Sequence, residues 1–96
     1  MKNKLNRFRS DEHSTLSILL KKYNNEKLIK LEIVCEDYFG LNYETAKKRA
    51  NEHSLPFVAF RLGESQKQPL MIDICDLAHH IDKATVQANK EWDKFQ

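Results

Sequence analysis

Apolar residues recur at helical spacing from Leu16 onward, with Leu16, Leu19, Leu20 and Tyr23 on one face. Ser14 stands where an N-cap belongs and Asn24-Asn25 closes the pattern, so a first helix is predicted there. Lys27 to Leu31 breaks the period and reads as a connector or a short strand. A second helix, Glu32 to Phe39, puts Ile33, Val34 and Tyr38 on an apolar side with Cys35 beside them, and Gly40 follows as the αL residue that commonly ends a helix. Asn42 then caps a third helix, Tyr43 to His53, in which Ala46 and Ala50 point inward while Lys47, Lys48 and Asn51 point elsewhere.

Past that helix the period changes from helical to alternating. Pro56 stops the helix, and "FVAFRL" sets Phe57, Ala59 and Arg61 against Val58, Phe60 and Leu62. The polar tip "GESQKQ" separates this run from "PLMID", which predicts a β-hairpin with Glu64 to Gln68 at its tip. The chain has only two glycines and two prolines, and Gly40, Pro56, Gly63 and Pro69 all fall in this region, so the tight junctions are concentrated here.

Asp73 caps a long last helix whose apolar positions are Ile74, Leu77, Ala78, Ile81, Ala84, Ala88, Trp92 and Phe95. At 1.5 Å per residue Trp92 lies about 27 Å beyond Ile74, too far to share one small core. Either the first helix packs along this tail or a second subunit does.

A helix, a three-residue turn through Gly40 and another helix have the spacing of a helix-turn-helix, in which the second helix can enter a major groove. A hairpin placed after it is a wing, whose tip can reach the phosphate backbone or a minor groove. Charge follows the same division. Residues 1 to 10 hold Lys2, Lys4, Arg7 and Arg9 with no acid, and residues 47 to 68 hold Lys47, Lys48, Arg49, Arg61 and Lys67 against Glu52 and Glu64. The intervening and final stretches are net acidic, so a total of only +2 conceals two basic regions where an anionic partner would dock.

With 96 residues the chain forms one small domain, unsuited to a deep pocket for a large substrate. Cys35 and Cys75 have no CxxC spacing, and no apolar run reaches the length of a signal core or a membrane span, which suits a reduced, cytoplasmic protein. Cys75 and His79 are spaced i,i+4 with His80 next, but a third and fourth metal ligand are lacking. The serines have no neighbouring His and acid in a recognisable motif and there is no phosphate-binding glycine loop, so no enzyme activity, metal or cofactor is expected.

The stretches "VCEDYFGL", "LPFVAFRLGESQKQPLMIDICDLAHHID" and "EWDKFQ" resemble the pyocin activator protein family, PrtN-like regulators encoded by phage-related bacterial elements. The resemblance runs from Ser14 to Gln96, and its most specific part is "RLGESQK" with the following "DLAHHID". More distantly the layout is similar to the AlpA and excisionase group of winged-helix proteins. The resemblance implies double-stranded DNA binding and transcriptional activation of phage-derived genes, without enzymatic activity.

The fold class expected is therefore mainly α with a small β-hairpin, a winged helix-turn-helix of MerR/excisionase-like layout with an N-terminal helix and a long C-terminal helix. Residues 1–13 form a basic arm that the family pattern does not require, and residues 14–96 form the single DNA-binding domain. The expected DNA contacts are Tyr43, Glu44, Thr45, Lys47, Lys48 and Asn51 on the third helix, and Arg61, Ser65, Gln66, Lys67 and Gln68 in the wing. Lys2, Lys4, Arg7 and Arg9 would add contacts from the arm. Arg61 has two readings, a phosphate contact or a pair with an acid such as Asp37 or Asp73. Ile81, Ala88, Trp92 and Phe95 are the expected oligomerisation surface of a homodimer or higher oligomer. A nucleoid-associated activator is the favoured role, with RNA polymerase or an integrase as further partners and none in the membrane. An excisionase-like DNA-bending factor uses the same fold and residues, and a protein-interaction module acting through the last helix is a third reading.

Overall fold

The computed structural model describes residues 13–96; the basic arm with Lys2, Lys4, Arg7 and Arg9 lies outside the described residues. Among the described residues four helices and a small antiparallel sheet follow one another as α1 (Thr15–Lys22), β1 (Leu28–Lys30), α2 (Leu31–Phe39), α3 (Tyr43–Asn51), β2 (Met71–Asp73) and α4 (Ile74–Lys94). The Ser14 hydroxyl accepts from the Ser17 N–H at 3.0 Å and so starts α1 at its predicted cap. Asn24 and Asn25, at φ 59° and 62°, turn the chain out of α1 in the left-handed region that asparagine tolerates better than most residues.

The predicted hairpin is replaced by a different pairing. β2 runs antiparallel to β1, with Leu28 opposite Asp73, Ile29 opposite Ile72 and Lys30 opposite Met71, whereas the "FVAFRL" run contributes only a single bridge, Phe60 to Met71. The burial of side chains explains the choice. Ile72 and Ile29 are 0% and 3% exposed, so their pairing closes the core, while Val58 and Leu62 remain 66% and 70% exposed and a longer strand there would bury little. β2 uses both of its edges. Met71 exchanges both backbone bonds with Phe60, at 2.9 and 2.7 Å, while the flanking Leu70 carbonyl accepts from Leu31 N–H at 2.8 Å on the β1 side.

Two other boundaries differ from the sequence reading. The inner face of α2 is Leu31, Val34 and Cys35, with Phe39 packed beside them; Ile33 and Tyr38 are exposed, and the helix begins one residue earlier, on the buried Leu31. α3 stops at Asn51 rather than His53. His53 takes φ 57°, its N–H bonds the Ala50 carbonyl and Ser54 N–H bonds the Arg49 carbonyl at 2.9 Å, a Schellman closure with histidine in the position glycine usually fills.

The core gathers Leu19, Leu31, Val34, Ile72, Ile74 and Leu77 between α1, α2, the sheet and the first half of α4. Across α1 and α2, Tyr23 donates its hydroxyl to Asp37 at 2.7 Å and Lys22 lies 3.6 Å from the same carboxylate; burial, and then this bond, push the Tyr23 phenol pKa up. α1 packs along α4 as far as Asp82, whose carboxylate receives the Thr15 hydroxyl. It does not cover the tail: Trp92 and Phe95 stay 66% and 86% exposed.

Candidate nucleic-acid interface

The turn between α2 and α3 is built for a close crossing. Gly40 takes φ 61° and the Gly40 and Leu41 N–H groups both reach the Cys35 carbonyl, which ends α2. Asn42 then caps α3 through its side-chain oxygen, which accepts from Thr45 N–H at 2.8 Å. Ala46 is fully buried and Ala50 packs against the core, so small residues let α3 lie tightly on α2 and present its polar side outward. Glu44, Lys48 and Asn51 are exposed there.

Beyond α3 the chain returns to the core through the Phe60–Met71 bridge, and the loop between these residues holds itself together. Arg61 donates from Nε to the Gln68 carbonyl at 2.9 Å, Gln68 N–H reaches the Ser65 carbonyl at 3.2 Å, and Lys67 N–H reaches the Ser65 hydroxyl at 3.1 Å. The alternative of an acid partner for Arg61 is overturned. Asp37 is taken by Tyr23 and Lys22, and Asp73 by Lys27 at 2.9 Å and by the Cys75 N–H at 2.8 Å. The Lys27 ammonium and then the Cys75 N–H hold the Asp73 carboxyl pKa below its usual value.

This loop and the start of α3 face each other across an open cleft of about 360 Å³. Of the residues expected to contact DNA, the cleft brings together Tyr43 and Lys47 from α3 with Arg61, Gln66, Lys67 and Gln68 from the loop. Glu44, Thr45, Lys48, Asn51 and Ser65 are outside its lining. Lys30 and Glu32, at the junction of β1 and α2, are lining residues that the sequence reading missed. The signal for Lys30 was the exposed position that follows Ile29 in a strand of period two. Four cations, Lys30, Lys47, Arg61 and Lys67, thus surround one cleft against the single carboxylate of Glu32. Lys47 is steadied by its own helix, 3.5 Å from the Glu44 carboxylate and 5.3 Å from the Tyr43 ring centroid.

A family model described as Pyocin activator protein PrtN matches residues 15–88. The chain belongs to this family. The PrtN match begins with α1, includes the whole cleft and ends within α4, so the closing "EWDKFQ" lies beyond it. Searches of curated proteins and of solved structures return no match.

A larger groove lies elsewhere. It occupies about 580 Å³ between Pro56–Val58 and α4, with His79, His80 and Lys83 on its wall. His80 packs there against Phe39 and Phe57, at ring-centroid distances of 5.7 and 6.1 Å. Among the described residues no three His, Cys, Asp or Glu side chains gather as a metal site, and no helix is long and apolar enough to cross a membrane.

Proposed function

We propose that this protein is a double-stranded-DNA-binding transcriptional regulator, an activator of phage-related genes acting in the bacterial cytoplasm. The observation that carries the reading is the cleft in which Lys30, Lys47, Arg61 and Lys67 converge from three separate parts of the chain. Membership of the pyocin activator family supports the regulatory role.

In this reading α3 enters the major groove with Tyr43 and Glu44 leading, and Lys47 and Asn51 reach base edges or phosphates from the same helix. The loop from Arg61 to Gln68 serves as the wing. It is short of regular strand, but its internal bonds and the Met71 bridge give it the rigidity a backbone contact requires. The phosphates lie across the cleft, between the two sets of cations. In this reading the cleft is a binding surface.

Genome-wide mapping of bound DNA in the host, followed by a promoter reporter, tests the role. Sites upstream of phage-derived promoters, with reporter output lost in Lys47→Ala and Asn51→Ala, are expected. Sites at attachment ends with an effect on excision would instead assign an excisionase-like function. If both folded variants occupy the mapped sites as the parent chain does, α3 is not the reading helix.

A further inference from the structure

We infer that the projecting half of α4 is a self-association surface on which a second copy of this chain packs antiparallel, centred on Ala88. Among the described residues α1 reaches along α4 to Asp82, and from the half-buried Ile81, still packed on the core, the stripe continues through Ala84, Ala88 and Trp92 to the C-cap Phe95 at spacings of three and four along one side of the helix. Trp92 and Phe95 are 66% and 86% exposed. A stripe of this kind on a helix with solvent around it needs a cover.

The order of side chains selects the occupant. If two copies run antiparallel with Ala88 opposite Ala88, each Trp92 faces the partner's Ala84 and each Phe95 faces the partner's Ile81. Trp92 then meets a small residue, and the central alanines allow the helices to approach closely. A parallel pair would stack Trp92 on Trp92 and leave a gap at Ala84. Ala84 also forms the edge of the groove that contains Phe57 and the 66%-exposed Val58, so a Trp92 ring arriving over Ala84 finds further apolar surface there. A second copy therefore matches the stripe in size and continuation.

The surface lies on α4 and uses none of the cleft cations, so it can be tested without DNA. Trp92 is the only tryptophan in the chain, and its emission reports burial directly. Sedimentation of the full chain across a range from one to several hundred micromolar is expected to show a monomer–dimer equilibrium, with Trp92 emission shifting to the blue as dimer forms. Phe95→Ala is expected to weaken association at least tenfold, and Ala84→Trp, which sets large against large, by more. In a Cys75→Ser background, Ala88→Cys is expected to cross-link to itself under mild oxidation while Ala84→Cys does not, since antiparallel packing separates the two Ala84 positions. A monomer at every concentration overturns the proposal, including one whose Trp92 emission is already blue-shifted when dilute, because another part of the chain then covers the stripe. Equal cross-linking of Ala84→Cys and Ala88→Cys also overturns it, as does a dimer indifferent to Phe95→Ala.

Discussion

Replacing Lys67 with alanine isolates one cation of the cleft with little disturbance elsewhere. Its side chain is exposed at the loop tip, no carboxylate among the described residues pairs with it, and its structural bond, the backbone N–H to Ser65, survives the substitution. Stability should therefore stay within about 0.5 kcal/mol of the parent chain. If each of the four cleft cations neutralises one phosphate, log K falls with log salt at a slope of about −3.6, and affinity drops about 150-fold between 50 and 200 mM salt. Without Lys67 the slope becomes about −2.7 and the same interval costs about 40-fold. The loss should be alike for specific and unrelated duplexes, because a phosphate contact carries no sequence information.

The assay is fluorescence anisotropy of a labelled duplex titrated at several salt concentrations. Lys47→Ala makes a useful comparison. It removes a cation and also frees the 82%-exposed Glu44 carboxylate that Lys47 approaches at 3.5 Å, so its affinity loss should exceed that of Lys67→Ala at equal change of slope. An unchanged slope in Lys67→Ala, with the variant folded, would refute the placement of phosphates across the cleft. A parent-chain slope near zero would remove DNA from the cleft altogether.

Gly63→Ala acts on the same site indirectly: an added Cβ would stand 2.5 Å from Gln68 Nε2, so this flexible side chain should move and duplex binding weaken several-fold with the melting temperature nearly unchanged. Combining it with Gln68→Ala should cost no more binding than Gln68→Ala alone, as a double-mutant comparison would show. Asp73→Ala should destabilise by about 1 kcal/mol through loss of the α4 cap, lowering the thermal midpoint by about 4–8 °C, with the exposed Lys27 pair adding little. Because Lys27 and the Cys75 N–H depress the Asp73 pKa, its contribution is complete above the ordinary aspartate value of about 3.9 and lost as pH falls through the folded value. Thermal scans of both chains at several acidic pH values should therefore converge.

Helix existence and order were legible because each helix carries its own local signal. Ser14, Asn42 and Asp73 all cap where the pattern placed them, and the stripe on α1 and the first half of that on α4 face the core as read. The strands were not legible to the same degree, for a physical reason. β1 has only Leu28, Ile29 and Lys30, and its partner lies more than forty residues away, so nothing local distinguishes pairing with β1 from pairing with the nearer "FVAFRL" run. Proximity favoured the hairpin, whereas burial of Ile29 against Ile72 favoured the distant pair.

The site shows the same division between local and distant information. Tyr43, Lys47, Arg61, Gln66, Lys67 and Gln68 could be named because helical period and loop composition expose them, and the cleft does contain all six. Lys30 was invisible by those rules, since it becomes a cleft residue only through the β1–β2 pairing that sets it opposite Met71. That pairing is also what fixes the cleft. Met71 holds Phe60 at one edge while Leu70, beside it, bonds Leu31 at the other, so the loop that presents Arg61 and Lys67 and the helix junction that presents Lys30 are tied through adjacent residues of one strand. With α3 anchored on α2 through Ala46, the segments that carry the cations are tied to one core. In the proposed role, charges positioned on a shared strand and a helix crossing would be set against successive phosphates of a duplex backbone.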